Sequence, residues 1–97
     1  MEQALVLVAT FQATPDTRVE LLARLSEMVA LTSAEPGCLR YDLHVDREDD
    51  TRFVFVETWA TVGDWDRHMQ TDHVLALLRD VPMLTTSGVQ LTRLNPV

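Results

Sequence analysis

No lysine occurs among the 97 residues, so all fixed positive charge rests on eight arginines set against fifteen acids. The formal charge of -7 repels phosphate backbones and anionic lipid, so neither nucleic acid nor a membrane surface is an expected partner. The only cysteine, Cys38, excludes an internal disulfide and, with no second thiol nearby, does not suggest a metal site. It reads as a small apolar residue opening a strand. No stretch approaches the roughly 20 apolar residues that a membrane span needs. The N-terminus also lacks the basic flank and cleavage pattern of a secretory leader, so the expected compartment is the cytoplasm.

What is present is ordinary for a globular chain, with 46% apolar and 24% charged residues, and shows no sign of disorder. A chain this short supports one hydrophobic core, so residues 1–97 are read as a single domain. Such a domain buries a modest fraction of its surface, and a second copy is the natural cover for what remains.

Residues 4–13 form an apolar run rich in branched side chains, which predicts a strand buried on both faces. Thr14-Pro15 reads as an N-cap followed by proline in the first helical turn, and Leu21, Leu22, Leu25, Met28, Val29 and Thr32 then recur at helical spacing. That helix should end before Glu35-Pro36-Gly37. Residues 38–47 alternate, with Leu39, Tyr41, Leu43 and Val45 on one side, and the acidic turn Glu48-Asp49-Asp50 predicts a hairpin. Its second arm, Arg52 to Trp59, puts Phe53, Phe55, Glu57 and Trp59 on one face, where Glu57 is the only polar side chain. Thr61 and Asp64 resemble a capping box, with Val62, Trp65 and Met69 marking a short helix. A second helical piece carries Val74, Leu77 and Leu78 and is expected to stop at Val81-Pro82, and Val89 to Leu94 reads as a last strand. The predicted class is α+β, with the ferredoxin-like order β-α-β-β-α-β and helices on one face of an antiparallel sheet.

Three separated segments resemble successive signatures of the antibiotic biosynthesis monooxygenase family: Glu35-Pro36-Gly37-Cys38-Leu39-Arg40-Tyr41, Phe53 to Trp59, and His68-Met69-Gln70-Thr71-Asp72-His73. The resemblance implies a dimeric α/β barrel, in which the sheets of two copies pack face to face. Members similar to this chain include quinol and anthrone monooxygenases that use molecular oxygen without metal or flavin, an isomerase of a phosphorylated signalling dione, and haem-degrading enzymes. The haem-degrading branch uses a first-strand asparagine, a helical tryptophan and a histidine ligand. Here the first strand has no asparagine, His68 stands at the tryptophan position and Leu78 at the ligand position, so haem degradation is not expected.

The leading expectation is therefore a cofactor-free oxidation of a small phenol, quinol or anthrone by molecular oxygen in a homodimer. Such chemistry needs a group to take the substrate proton and a dry pocket. His73 is the first candidate for the proton step, because imidazole titrates near neutral pH and this residue follows a break between helical pieces, from which it can point back at the sheet; the alternative is a histidine that only caps or braces that break through a hydrogen bond. Tyr41 and Trp59 are candidates to line a pocket for a flat aromatic ligand, each with an alternative as a plain core aromatic. His68 reads as a half-exposed helix residue that could reach the same pocket. Glu57 should be either paired or raised in pKa; an ion pair with an arginine such as Arg40 or Arg93 is the favoured reading, a general base the other. No metal site is expected, because His68 and His73 are five apart, whereas helical metal pairs use a spacing of three or four. Two other readings stay open: a dimer that binds a small apolar molecule without turnover, and an isomerase of a phosphorylated dicarbonyl.

Overall fold

The computed structural model describes residues 3–97. Its order is β1 (Leu5–Gln12), α1 (Arg18–Ser33), β2 (Cys38–Val45), β3 (Arg52–Trp59), α2 (Val62–His68), α3 (Asp72–Leu84) and β4 (Val89–Leu94). The four strands form one sheet in the order β2-β3-β1-β4, with every pairing antiparallel. This is the ferredoxin-like arrangement expected from the sequence, the second helical region being divided into α2 and α3. No helix among the described residues is long and apolar enough to cross a membrane.

Strand alternation decides which side chains meet the helices. In β1 the residues Leu5, Leu7, Ala9 and Phe11 are buried, while Val6, Val8, Thr10 and Gln12 on the outer face are only partly covered. In β3 the inner set is Phe53, Phe55, Glu57 and Trp59. Against this face α1 packs Leu21, Leu25 and Met28, and α3 packs Val74, Leu77, Val81 and Leu84. Phe55 ties the inner face together, stacking on Tyr41 at 4.4 Å between ring centroids and meeting Phe11 edge-on at 6.1 Å.

Four local expectations are corrected. Helix α1 starts at Arg18, with Thr17 and not Thr14 at its cap; Thr14 and Thr17 exchange hydrogen bonds in a preceding turn that holds Pro15. Helix α3 runs through Pro82 to Leu84, because Val81 and Leu84 are anchored in the core. The Thr17 hydroxyl also donates to the Leu84 carbonyl at 2.9 Å, giving that end of the helix a partner from α1. Leu39 does not share the face of Tyr41: the ladder shifts register between Cys38 and Arg40, leaving Leu39 exposed. The Thr61–Asp64 cap forms, but the Asp64 carboxylate accepts from the Thr61 hydroxyl at 3.0 Å instead of reaching back to its backbone.

The turn between α1 and β2 is fixed by Gly37, whose φ is 80°. Its carbonyl accepts the Ala60 N–H at 2.8 Å, and a Cβ at Gly37 would run into the Asp64 side chain. Gly37→Ala is therefore expected to cost about 2 kcal/mol or more, from the left-handed backbone and from displacement of the α2 cap. The check is the urea midpoint; an unshifted midpoint would show that neither constraint holds.

Candidate active site

Beneath the sheet lies a cavity of about 400 Å³, counting its open mouth. Ala9 and Phe11 of β1 and Val89 and Leu91 of β4 form its sheet side, with Met69 and Leu78 opposite. Its lining is overwhelmingly apolar. Four of the lining side chains carry nitrogen or oxygen atoms: Tyr41, Glu57, Trp65 and His68.

Glu57 reaches the cavity because it stands on the inner face of a central strand, flanked by Leu7 of β1 and Tyr41 of β2. It is only 4% exposed. One carboxylate oxygen accepts the indole N–H of Trp59 at 3.0 Å. Burial pushes its carboxyl up to about 7; the Trp59 hydrogen bond opposes this and the nearby charge of Glu35 adds to it. Within the chain the expected ion pair is not formed, since no arginine among the described residues lies within ion-pair reach. The reason is topological: Arg40 faces outward opposite Thr58 and pairs with Asp42 at 2.6 Å, while β1 separates Arg93 from Glu57. Arg93 instead lies over the Trp65 ring at 5.9 Å.

His68 is 4% exposed, not half-exposed as its place in the helical pattern suggested. As the last residue of the short helix α2 it turns inward, with its ring 4.7 Å from that of Trp59 and 5.8 Å from that of Tyr41. Burial lowers its pKa, against the opposing pull of Glu35, and so favours the neutral ring. Its Nδ1 lies 2.7 Å from Oε2 of Glu35. A carboxylate can only accept, so the ring proton sits on Nδ1 and Nε2 is left with its lone pair. That nitrogen has no hydrogen-bond partner among the described residues, and His68 is one of the residues that line the cavity.

His73 does not line the cavity. It stands on the first turn of α3, and its Nε2 is 2.8 Å from the same Glu35 oxygen. Trp59 does not line the cavity either: fully buried, it backs Glu57 from behind. Trp65 of α2 packs against the core and also takes a place in the cavity wall.

Glu35 is the residue that sequence reasoning missed. It lies in the α1–β2 turn, far in sequence from both histidines, and the break at Met69-Gln70-Thr71 swings the two rings onto it. The Thr71 hydroxyl braces that break by donating to the His68 carbonyl at 2.7 Å. Periodicity carries no signal for such a meeting; the only hint was an acid opening a Pro-Gly turn. The spacing argument against a shared metal thus fails, because the two imidazoles come from separate helices.

Residues 4–80 match the sequence profile of a family described as antibiotic biosynthesis monooxygenase. The chain belongs to that family. Among antibiotic biosynthesis monooxygenase relatives and solved structures, it is 33% identical over 97 residues to "Putative monooxygenase Rv0793" of Mycobacterium tuberculosis, covering 100% of this chain and 95% of that protein. The crystal structure of PA3566 from Pseudomonas aeruginosa is similar, with a TM-score of 0.92 and 36% identity over 100% of this chain and 97% of that one. "Putative monooxygenase YcnE" of Bacillus subtilis is 30% identical over 69 residues, 71% of this chain and 73% of that protein. Membership of the antibiotic biosynthesis monooxygenase family agrees with the resemblance carried by the three sequence segments.

Proposed function

We propose that the protein is a cofactor-independent monooxygenase that oxidises a small flat phenol, quinol or anthrone with molecular oxygen. The observation that carries this is Glu57: a buried carboxyl that gives up its proton near neutral pH, set in the wall of an apolar cavity. In that cavity the carboxylate takes the acidic proton of the substrate, and the apolar walls keep the resulting anion poorly solvated and electron-rich. The anion passes an electron to oxygen, and recombination gives a hydroperoxide. For an anthrone methylene, loss of water then yields the carbonyl, so one oxygen atom enters the product and the other leaves as water. The lone pair on His68 Nε2 serves as acceptor for a substrate hydroxyl and orients the ring toward Glu57. No arginine lines the cavity among the described residues, which speaks against a phosphorylated dicarbonyl as substrate.

The proposal includes a homodimer. Val8 faces Val56, and Thr10 faces Val54, across the β1–β3 ladder on the outer side of the sheet, and this half-covered apolar stripe suits a second copy. The test is oxygen uptake with a panel of hydroquinones and anthrones, alongside sedimentation. Uptake above the spontaneous rate by a dimeric species is expected. Ligand-induced thermal stabilisation with no uptake across the panel would instead identify a binding protein without turnover.

A further inference from the structure

The cluster of Glu35, His68 and His73 lies on the far side of His68 from the cavity and has donor atoms suited to more than hydrogen bonding. We propose that these three side chains bind a divalent transition-metal ion, with zinc as the reference, and that the ion reverses the hydrogen-bonding polarity of the His68 nitrogen facing the cavity.

Two imidazoles and one carboxylate offer one ligand atom each, all within 4.8 Å of one another. The Glu35 oxygen stands 2.7 Å from His68 Nδ1 and 2.8 Å from His73 Nε2. Ligand atoms around a zinc ion with bonds near 2.1 Å stand about 3.0 to 3.4 Å apart, so an outward rotation of a few tenths of an ångström admits an ion. Each ligand comes from a different element, and the side chains are 11%, 5% and 19% exposed for Glu35, His68 and His73 respectively. The site is thus shielded, with His73 as its most accessible side. Three protein ligands leave a coordination position for water, and the nitrogen-rich set favours zinc, cobalt or nickel over magnesium or calcium.

The consequence follows from proton balance. Without metal, His68 carries its proton on Nδ1 and presents a lone pair from Nε2. A neutral imidazole that gives its Nδ1 lone pair to a metal must carry that proton on Nε2 instead. The cavity then meets a donor where it had an acceptor, and no proton is gained or lost by the ring. Neither the binding nor the tautomer change rests on the function proposed above.

The test is titration of the chelator-treated full-length protein with cobalt(II), followed by visible absorption, and with zinc, followed by calorimetry and ring ¹⁵N NMR. One equivalent is expected to give a low-symmetry cobalt spectrum, and His68 Nε2 should change from unprotonated to protonated. His73→Ala and Glu35→Gln should each weaken binding at least roughly tenfold. Circular dichroism of the metal-free variants, with His73→Asn as an alternative, shows whether they remain folded. Absence of the cobalt spectrum, or binding undiminished in folded variants, would overturn the site. Binding that leaves Nε2 unprotonated would overturn the polarity switch. An inert substrate panel with cobalt binding intact would count against the monooxygenase reading alone.

Discussion

Glu57→Gln is expected to lower turnover roughly 10²- to 10⁴-fold, the usual worth of a positioned general base, while making the protein more stable in alkali. Glutamine keeps an oxygen to accept the Trp59 N–H and so preserves the one hydrogen bond the carboxylate makes. The stability gain follows from linkage. The folded carboxyl titrates at about 7 against an ordinary 4.5, so the native state holds this proton more tightly than the unfolded chain does. That contribution is fully present below pH 4.5 and is lost as pH rises through about 7, amounting to about 3 kcal/mol in alkali. Glutamine cannot ionise and escapes the loss. Urea midpoints of the parent and variant should therefore coincide near pH 4 and separate above pH 8, with the variant higher. Equal turnover, or a variant less stable than the parent at pH 8.5, would remove Glu57 from the role assigned to it.

Trp59→Phe acts on the same carboxyl from behind. The indole N–H is the one contact that holds the Glu57 pKa down against burial, and phenylalanine has no donor to replace it. A hydrogen bond to a charged group is worth about 1.5 to 3 kcal/mol, which corresponds to an upward shift of about one to two pH units. The rising limb of the pH–rate profile should move alkaline by that amount, giving roughly tenfold less activity at pH 7 and recovery above pH 9. Trp59 is completely buried, so the smaller ring also leaves a void costing about 2 kcal/mol. A purely structural role would lower the urea midpoint without moving the pH profile, and that outcome would separate Trp59 from the chemistry.

The two substitutions together show how the site is organised. The fold supplies a carboxylate that is costly to ionise, and the surrounding hydrogen bonds set how costly. Tyr41, buried beside Glu57 and stacked on Phe55, has its own pKa raised by burial and by the Glu57 charge, so it meets the cavity as a neutral phenol. Among the described residues that line the cavity, Glu57 is the one whose carboxyl is pushed up to about 7 and so takes up a proton near neutral pH.

Much of this was legible in the residues. Alternation in β3 identified its inner face, and the isolation of Glu57 among Phe53, Phe55 and Trp59 marked it as a carboxyl either paired or raised in pKa. The element order, the Gly37 turn and the Thr61 cap were equally plain, since each depends on neighbours a few residues apart. Family membership was also readable, because its three signatures lie on separate short segments. Partners could not be read. Whether Glu57 met an arginine depended on strand order, which inserts β1 between β3 and β4, and on alternation, which turns Arg40 to the other face. Likewise, His68 was read as a half-exposed helix residue and His73 as one that follows a helical break, with no sign of a shared partner, yet the break between α2 and α3 delivers both to one oxygen of Glu35. Local periodicity specifies which way a side chain faces along its own element. What it then meets is set by long-range packing, and no spacing along the chain encodes that.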